Sequence, residues 1–288
     1  MKWIDLHTHS TYSDGTMGPE ELIDLALRRG LGALALTDHD TVAGVPDLLA
    51  HAAGKDILVM AGIELSTWYG EDSMHILGYG IDHGHPPLLI ALEEVQRARH
   101  RRNLEILTRL DELGIRIAYK AVAGRENGQV GRPHIARELV RLGVVHDMHH
   151  AFLQYLRKGA AAYVDSFRIH ALDAVRLIAA AGGVPVLAHP AVLDNNLNSL
   201  PRLLPELVTA GLAGLEIYYP AHNRRQYRQL QQLAGEWRLL ATGGTDFHGN
   251  THGGVPLGGS SQTVRVPFKC YQELTALLTH GPESSNHF

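Results

Sequence analysis

Cysteine and long apolar runs are the features that this sequence most clearly lacks. Its single cysteine, Cys270, excludes an internal disulfide and a cysteine-rich metal site, and such usage is typical of a reducing compartment. No apolar run approaches the roughly 20 residues of a membrane span. The chain also enters a strand at once instead of beginning with the apolar core of a signal peptide. We therefore expect a cytoplasmic protein with no membrane partner.

A surplus of charge of one sign is also missing. The chain carries 26 Lys and Arg against 30 Asp and Glu, for a formal net charge of -4. This balance gives neither a basic coat for nucleic acid nor a cationic face for a membrane surface, so any attraction for an anion must come from a local site. At 288 residues, the chain can form one large α/β domain or two smaller ones.

Histidine, by contrast, is abundant, with 19 residues, and many of them follow short apolar runs. His7 and His9 come at the end of the first run, and residues two apart on an extended strand point to the same face. Asp14 follows in the next loop, at a turn marked by Gly15. Two imidazoles and a carboxylate that converge in this way suit a divalent cation such as Zn²⁺, Mn²⁺ or Fe²⁺, although both histidines can also simply cap a strand.

Short apolar runs alternate with amphipathic helical segments along most of the chain. The candidate strands are residues 4–9, 31–37, 56–61, 73–79, 184–188, 213–218 and 238–242. Strands that alternate with helices at this spacing predict βα units around a parallel sheet. Residues 86–165 interrupt the alternation with mostly helical patterns. We expect this stretch to be an insertion that lies over the mouth of the main domain.

A histidine or an acid follows nearly every candidate strand. These residues are His7, His9, Asp14, His39, Glu64, His75, His189, Asp246 and His248. In a barrel of parallel strands, the carboxyl ends of the strands form one face, where active sites lie. Each histidine alone can be a hydrogen-bonded core residue, but this number of imidazoles and carboxylates suits a cluster of two or three metals. A carboxylate such as Glu64 can bridge two ions at about 3.5–4 Å, the spacing used to hydrolyse phosphate esters.

These motifs resemble those of the PHP (polymerase and histidinol phosphatase) family of phosphoesterases. They are His7-Thr8-His9, Ser13-Asp14-Gly15, Thr37-Asp38-His39-Asp40, Gly62-Ile63-Glu64, His75, Ala188-His189-Pro190 and Gly244-Thr245-Asp246-Phe247-His248. The resemblance runs in order from residue 1 to about residue 259 and skips the insertion. It implies an α/β fold, a distorted (β/α)7 barrel formed by residues 1–85 and 166–288, with a mostly helical insertion at 86–165 over the active-site face.

The resemblance also implies two or three divalent ions, with manganese expected and zinc or iron as alternatives. The implied ligand sets are His7, His9, Glu64 and Asp246 for one metal; Glu64, His75 and His189 for a second; and Asp14, His39 and His248 for a third. Asp38 and Asp40 are expected to orient metal-binding histidines from behind.

A second and shorter match concerns the substrate. Residues 131–136 and 218–222, with Arg224, resemble the PHP subgroup that removes the 3′-phosphate from nucleoside 3′,5′-bisphosphates, whose relatives also trim short RNA from its 5′ end. Arg132 has a fork of donors suited to phosphate, and a helix that starts at Pro133 turns free N–H groups toward an anion. The expected substrate-binding residues are Arg132, His134, Tyr218, His222 and Arg224. These residues can also be ordinary helix caps or solvated positions.

We therefore expect a phosphomonoesterase that attacks a small phosphorylated nucleotide with metal-bound hydroxide, with no protein partner evident. Arg132 would neutralise the phosphoryl oxygens, and His134 or His222 would give the leaving oxygen a proton. A 5′-3′ exonuclease on short RNA and a histidinol-phosphate phosphatase are alternatives with the same chemistry. A C–N amidohydrolase also uses His-x-His on barrel strands, but Arg132 and the lack of a lysine at a strand end disfavour it. A non-enzymatic module of a polymerase would tend to have lost ligands.

Overall fold

The computed structural model describes residues 2–123, 128–165, 167–249 and 254–280. A single mixed sheet forms the centre of this part of the chain. Its strands are β1 (Trp3–Asp5), β2 (Ala33–Leu36), β3 (Leu58–Tyr69), β4 (Asp72–Tyr79), β5 (Ile169–His170), β6 (Val184–Leu187), β7 (Gly214–Tyr218), β8 (Leu240–Gly243) and β9 (Val266–Pro267). Neighbouring strands follow the order β8-β7-β6-β4-β3-β2-β1-β9, and β5 pairs with β3.

The sheet curves until β1 and β8 nearly meet. Just beyond β1, the backbone N–H of Leu6 donates to the carbonyl oxygen of Gly243 at the end of β8 (3.3 Å). Thr8 then forms a parallel bridge with Phe247. The expected distorted α/β barrel is confirmed as a nearly closed, barrel-shaped sheet, and its closure brings the first ligands of the chain beside the last.

Helices connect most of the strands and pack on the sheet. They are α1 (Pro19–Arg28), α2 (Val45–Ala52), α3 (Pro86–Glu112), α4 (Tyr119–Val122), α5 (Arg132–Arg141), α6 (Met148–Ala151), which continues into a π-helical turn (Phe152–Leu156), α7 (Ala171–Ala180), α8 (Pro190–Leu193), α9 (Leu200–Ala210), α10 (Arg224–Trp237) and α11 (Phe268–His280). No helix in the described part of the chain has the length and apolar character needed to cross a bilayer.

Strand β2 shows why the apolar runs are continuous instead of alternating. All of its residues are buried. Leu34 and Leu36 pack with side chains of α1 and α2, whereas Ala33 and Ala35 pack with side chains of β1 and α11. Because both faces of the strand are covered, it needs apolar side chains at every position.

Strand β4 departs from the parallel arrangement that the alternation predicts. It runs antiparallel to both β3 and β6, because a tight turn at Gly70 joins β3 to β4 without an intervening helix. Gly70 has a φ of +59°, which glycine adopts without strain. β3 is also longer than its predicted apolar run, so Glu64 lies within a strand and not beyond its end.

Helices fill most of the sequence between β4 and β5, as the pattern predicts. The long helix α3 spans two apolar cores, because Leu88 and Leu92 pack with barrel strands whereas Ile106 packs with α5 and the segment that follows it. The division into a barrel and an insertion at 86–165 stays a prediction, and its boundary at residue 166 lies outside the described residues.

Candidate metal centre

The carboxylate of Glu64 lies at the centre of the predicted cluster and is fully buried. Five imidazoles face its two oxygens. The distances to Oε2 are 3.2 Å from His7 Nε2, 3.2 Å from His9 Nε2 and 3.1 Å from His39 Nδ1. The distances to Oε1 are 2.8 Å from His75 Nδ1 and 3.1 Å from His189 Nε2. Such a carboxylate can bridge two cations.

The two remaining carboxylates extend the cluster. Asp246 Oδ1 lies 3.0 Å from His9 Nε2 and 3.3 Å from His7 Nε2. Asp14 Oδ1 lies 3.2 Å from His248 Nε2, and the ring of His248 stacks on that of His9 with 4.2 Å between centroids. The fold thus brings all of the predicted metal ligands to one place.

Three groups of these side chains place ligand atoms within 4.8 Å of one another. They are His7, His9, Glu64 and Asp246; His9, Asp14, His39 and His248; and His39, Glu64 and His75. The first group is the ligand set implied for the first metal. The second group is the set implied for the third metal, with His9 added. The third differs from the implied set, because His39 takes the position expected for His189, which lies against Glu64 Oε1.

Several ligand atoms of the cluster are buried and lack a hydrogen-bond partner among the residues that the structure describes. They are Nε2 of His7 and His9, Nδ1 of His39, and one oxygen each of Asp14, Glu64 and Asp246. Buried polar atoms are normally paired, since an unpaired one costs about 1–3 kcal/mol. Atoms that hold one ion at about 2.1 Å lie about 3.0–3.4 Å apart, and Glu64 Oε2 lies 3.2 Å from Nε2 of His7. The donor set therefore fits divalent cations.

Close backbone packing at two glycines brings these ligands together. A Cβ on Gly244 would lie 2.3 Å from the Cβ of His7, so glycine allows the segment after β8 to approach the segment after β1. A Cβ on Gly15 would lie 2.2 Å from the carbonyl oxygen of His9, within the turn that returns Asp14 to the cluster. Both glycines are needed for close approach, which any larger side chain would prevent.

Backbone strain is concentrated at the same place. Asp40, His189 and Asp246 adopt positive φ angles of 50°, 27° and 55°. These residues follow β2, β6 and β8, at the points where the chain leaves the sheet and presents ligands. Strain of this kind persists only where surrounding contacts impose it, and it is common at functional sites.

Glu216 is a buried carboxylate of β7 to which the sequence pattern assigned no role. Its Oε1 lies 2.9 Å from Nδ1 of His7, and its Oε2 accepts the backbone N–H of His189 (2.7 Å). A carboxylate at Nδ1 fixes the tautomer and orientation of the ring, so Nε2 of His7 faces the cluster. The signal in the sequence was a single acid within the apolar run 213–218, which is costly to bury without a partner.

Asp38 and Asp40 support loops instead of imidazoles, which corrects the expectation that they orient metal-binding histidines. Asp38 accepts hydrogen bonds from the backbone N–H and hydroxyl of Ser10 and from the hydroxyl of Ser13, each at 2.6 Å. Asp40 pairs with Arg99 of α3. Both carboxylates thus hold loops that carry ligands, and Asp40 connects one of these loops to α3.

The charges of the cluster compensate one another. Burial disfavours the charged form of Glu64, but His39 and His7 outweigh it and hold the pKa of this carboxyl well below its usual range. Burial also opposes charge on His9, yet the neighbouring carboxylates of Asp246 and Glu64 raise its pKa to about 10. Burial lowers the pKa of His39 to about 3. Metal binding requires ionised carboxylates and deprotonated imidazoles, so a cation bound at His9 would displace a proton.

A cavity of about 220 Å³ opens beside the cluster, and we call it the arginine cavity. It is lined by Asp14, His39, Ser66, Ser73, His75, Arg99, Arg102, Arg132, Pro133, Phe152, Phe167 and Arg168. Candidate metal ligands, four guanidinium groups and two phenyl rings therefore share one space. A cavity lined in this way concentrates positive potential beside the cluster.

Two of these arginines form no ion pair with a carboxylate in the described part of the chain. Arg102 is only 8% exposed and donates to the amide oxygen of Asn103. Arg132 places its guanidinium 5.0 Å from the centroid of the Tyr163 ring, and its Nε is buried without a partner. Burial, together with repulsion from Arg99 and Arg132, lowers the pKa of Arg102 to about 9. An anion bound here would relieve this repulsion.

His134 caps α5, the helix that follows Gly131. Its Nδ1 accepts the backbone N–H of Gly131 (3.0 Å). Burial, with a contribution from Arg137, lowers the pKa of His134 to about 4. The ring is therefore neutral near pH 7, which disfavours its predicted role as a proton donor. Arg137 donates to the carbonyl oxygen of Asp14 (3.0 Å), so α5 also contacts a ligand-bearing loop.

The other predicted substrate residues line a second cavity of about 480 Å³, which we call the β7–α10 cavity. It is lined by Ile217, Tyr218, Tyr219, His222, Asn223, Arg224, Tyr227, Arg228, Gln231, Thr263, Val264 and Arg265. Tyr219, the neighbour of Tyr218, was not predicted but contacts the metal cluster, because the Tyr219 hydroxyl donates to Asp246 Oδ2 (3.0 Å).

Comparison with known proteins agrees with this geometry. A family model described as PHP domain matches residues 5–163. The chain is 34% identical over 277 residues to a 3′,5′-nucleoside bisphosphate phosphatase of Chromobacterium violaceum, covering 96% of this chain and 97% of that one. It is also 34% identical over 247 residues to a 5′-3′ exoribonuclease of Haemophilus influenzae, covering 86% and 90%.

A solved structure extends the likeness to the fold. A protein of Bifidobacterium adolescentis described as a metal-dependent phosphoesterase superposes with a TM-score of 0.86 and 27% identity, over 96% of both chains. The sequence relatives span nearly the whole chain, and the family model spans the first ligands and the helices beside them. The chain therefore belongs to the PHP domain family.

Proposed function

We propose that this metal-dependent phosphatase removes the 3′-phosphate from nucleoside 3′,5′-bisphosphates, converting adenosine 3′,5′-bisphosphate to AMP and phosphate. The observation that carries the proposal is the arginine cavity, in which unpaired guanidinium groups and candidate metal ligands share about 220 Å³. A nucleoside 3′,5′-bisphosphate carries a phosphate on each side of its ribose. The 3′-phosphate would lie at the cation-loaded metal cluster, and the 5′-phosphate would lie against the arginines of the arginine cavity. The relative from C. violaceum bears a name for this activity.

The arginine cavity supplies contacts for the parts of the substrate that do not react. Arg102 and Arg132 are the groups for the 5′-phosphate, since a guanidinium binds phosphate through parallel N–H donors. Phe152 and Phe167 line the same cavity, and Phe167 is 47% exposed. An aromatic ring with a free face can stack on a nucleobase.

The proposed metal ligands are His7, His9, Asp14, His39, Glu64, His75, His189, Asp246 and His248, which would hold two or three cations. Manganese is the proposed metal because carboxylates favour it, while the many imidazoles also suit zinc or iron. Bound cations of this kind supply a nucleophilic hydroxide near neutral pH and offset charge on the phosphoryl and leaving oxygens. Glu216 fixes the orientation of His7, and Asp38 holds the loop that carries Asp14.

The protein's own groups limit how a proton reaches the leaving 3′-oxygen. Burial lowers the pKa of both His134 and His222, so neither ring carries a second proton at neutral pH. The Tyr219 hydroxyl keeps its proton, because burial raises its pKa. It lies 3.0 Å from Asp246 Oδ2 and orients that carboxylate. We therefore assign Arg132 to charge neutralisation and leave His134 with the capping of α5.

A 5′-3′ exoribonuclease on short RNA is the second candidate, favoured by the β7–α10 cavity next to Tyr219. This reaction breaks the same 3′-O–P bond, and the phosphate differs only in carrying a further nucleotide. The relative from H. influenzae bears this name. Histidinol phosphate has a single phosphate and an amide substrate has none, so neither matches the two charged regions.

The test compares hydrolysis of adenosine 3′,5′-bisphosphate, adenosine 3′-phosphate, histidinol phosphate and a short 5′-phosphorylated RNA by the manganese-loaded protein. We expect the highest kcat/KM with the bisphosphate. Arg102→Met keeps the buried stem and removes the charge, and it should raise KM for the bisphosphate by about 10- to 100-fold. KM for adenosine 3′-phosphate should change much less.

Arg176→Met is the matched control, because Arg176 is an exposed arginine of α7 that pairs with exposed Asp173. It should leave all four reactions unchanged. A wild-type protein that hydrolyses adenosine 3′-phosphate or histidinol phosphate as well as the bisphosphate would contradict the proposed substrate. Loss of all four activities in Arg102→Met would instead make Arg102 a structural residue.

A further inference from the structure

The β7–α10 cavity adjoins the metal cluster through a single side chain. Tyr219 lines the cavity, and its ring lies 5.4 Å from that of His189 and 5.2 Å from that of His222. Its hydroxyl contacts Asp246. A phosphate held at the cluster can therefore carry a substituent that continues past Tyr219 into this cavity.

The charge of the cavity is uncompensated. Arg224, Arg228 and Arg265 line it, and none of them forms an ion pair with a carboxylate in the described residues. The first turn of α10 offers no free anion site, because the Asn223 side chain already accepts from the backbone N–H groups of Arg225 and Gln226. The attraction for an anion thus comes from the arginine side chains.

The cavity also offers groups that recognise nucleosides. Tyr218 and Tyr227 form an edge-on ring pair with 5.4 Å between centroids. The Nε2 atom of His222 is buried without a partner, while its Nδ1 contacts the carbonyl oxygen of Ile217. Aromatic rings beside a row of guanidinium groups are the combination that holds single-stranded nucleic acid without reading its sequence.

We propose that the β7–α10 cavity binds the nucleotide that follows the scissile phosphate in a short RNA. The inference rests on the second candidate function. The 5′-terminal nucleotide occupies the arginine cavity, the phosphate lies at the metal cluster, and the next nucleotide and its phosphate lie along Arg228 and Arg265. Water adds its hydroxide to phosphorus, the 3′-O–P bond breaks, the 3′-oxygen takes the remaining proton, and the shortened RNA keeps a 5′-phosphate.

The experiment measures binding of a tetranucleotide RNA with a 5′-phosphate, hydrolysis-resistant phosphorothioate linkages and a 3′ fluorophore to the full-length, manganese-loaded protein. The double variant Arg228→Ala with Arg265→Ala should raise the dissociation constant about tenfold. Its slope of log affinity against log salt should be shallower by up to about 1.4, because two phosphate contacts are lost. The double variant should bind adenosine 3′,5′-bisphosphate as tightly as the wild type does, as measured by displacement of the RNA.

Arg225→Ala is the control, since Arg225 is exposed on the same helix and does not line the cavity. It should leave the dissociation constant and the salt slope unchanged. The inference is overturned if the double variant binds the tetranucleotide like wild type, or if Arg225→Ala weakens binding as much. Failure of the wild type to hydrolyse the bisphosphate would instead count against the proposed function, which the binding measurement does not require.

Discussion

Single side chains decide how the imidazoles of the metal centre are presented. The Nδ1 atom of His7 contacts Glu216 at 2.9 Å, and its Nε2 atom faces Glu64 and Asp246. A metal-binding nitrogen must carry no proton, so the acid on the far side of the ring determines whether His7 is a competent ligand. The same carboxylate also holds the backbone of His189.

Glu216→Gln tests this role. The glutamine oxygen can still accept the backbone N–H of His189, but its NH₂ then turns toward Nδ1 of His7 and favours a proton on the atom that faces the cluster. Manganese affinity should fall by about 10- to 100-fold, as measured by competition with a fluorescent chelator. The exposed Glu236→Gln should have no effect. An unchanged affinity in Glu216→Gln would mean that Glu216 only fills space.

The pKa of His134 predicts a pH effect on stability. Burial lowers this pKa from 6.5 to about 4 in the folded protein. Between these pH values the unfolded chain binds a proton that the folded chain does not. The contribution of His134 to the free energy of unfolding is therefore complete above pH 6.5 and is lost as the pH falls toward 4. The total is on the order of 3 kcal/mol.

His134→Gln checks this effect, because a glutamine oxygen can still accept the backbone N–H of Gly131. The unfolding free energy of the wild type, measured by urea titration with metal chelated, should fall more steeply from pH 6.5 to pH 4 than that of the variant. Parallel curves for the two proteins would show that His134 titrates normally in the fold.

Residue-scale reasoning from the sequence missed one contact where a strand is irregular. The sequence pattern did not single out Tyr219, which contacts Asp246, whereas the predicted substrate residue Tyr218 lines the β7–α10 cavity. The pairing of β7 with β8 shifts register between Glu216 and Tyr218. A shift of one residue exchanges the two faces of a strand, and nothing in a single sequence marks such a shift.

At the scale of elements, two helices of the central helical region are tied to ligand-bearing loops. Arg99 of α3 pairs with Asp40, which follows the ligand His39. Arg137 of α5 donates to the carbonyl oxygen of Asp14 (3.0 Å), and the backbone N–H of Gln129 donates to that of Tyr12. These helices therefore hold the metal ligands as well as the walls of the arginine cavity.

Arg137→Met should loosen the loop that carries Asp14 while preserving most of the packing of α5. The group formed by His9, Asp14, His39 and His248 should lose affinity for its cation by about tenfold, with the other groups affected less. The protein is dialysed against a series of free manganese concentrations, and its manganese content is then measured. The variant should lose its weakest-bound ion at a higher free concentration than the wild type does. Arg176→Met on α7 serves as the control, and an equal loss of every ion would contradict the assignment.

The sequence predicted most helices well and mispredicted one strand pairing. The long helix from Pro86 carries an apolar stripe and begins at a proline, which are local properties. The antiparallel pairing of β3 with β4 depends on which strand lies beside which, and apolar runs do not record that. The glycine turn at Gly70 was the one local signal of a hairpin.

At the scale of the whole molecule, barrel closure makes one site from both ends of the chain. Asp5 of β1 accepts from the Thr245 hydroxyl and from the backbone N–H of Gly258 (2.7 Å), so the first strand anchors the loops after β8. The sequence predicted this convergence because it repeats a ligand at strand after strand. It indicated part of the lining of the β7–α10 cavity through Tyr218, His222 and Arg224, but not that residues 263–265 complete it.

The central claim is that divalent cations lie around Glu64, between the imidazoles of His7, His9 and His75. Anomalous diffraction from crystals grown with Mn²⁺ tests it most directly. We predict at least two manganese peaks, one within about 2.0–2.3 Å of ligand atoms of His7, His9 and Asp246, and a second beside His75, with Glu64 between them. Crystals in which manganese is bound elsewhere, or in which Glu64 contacts no metal peak, would contradict the account.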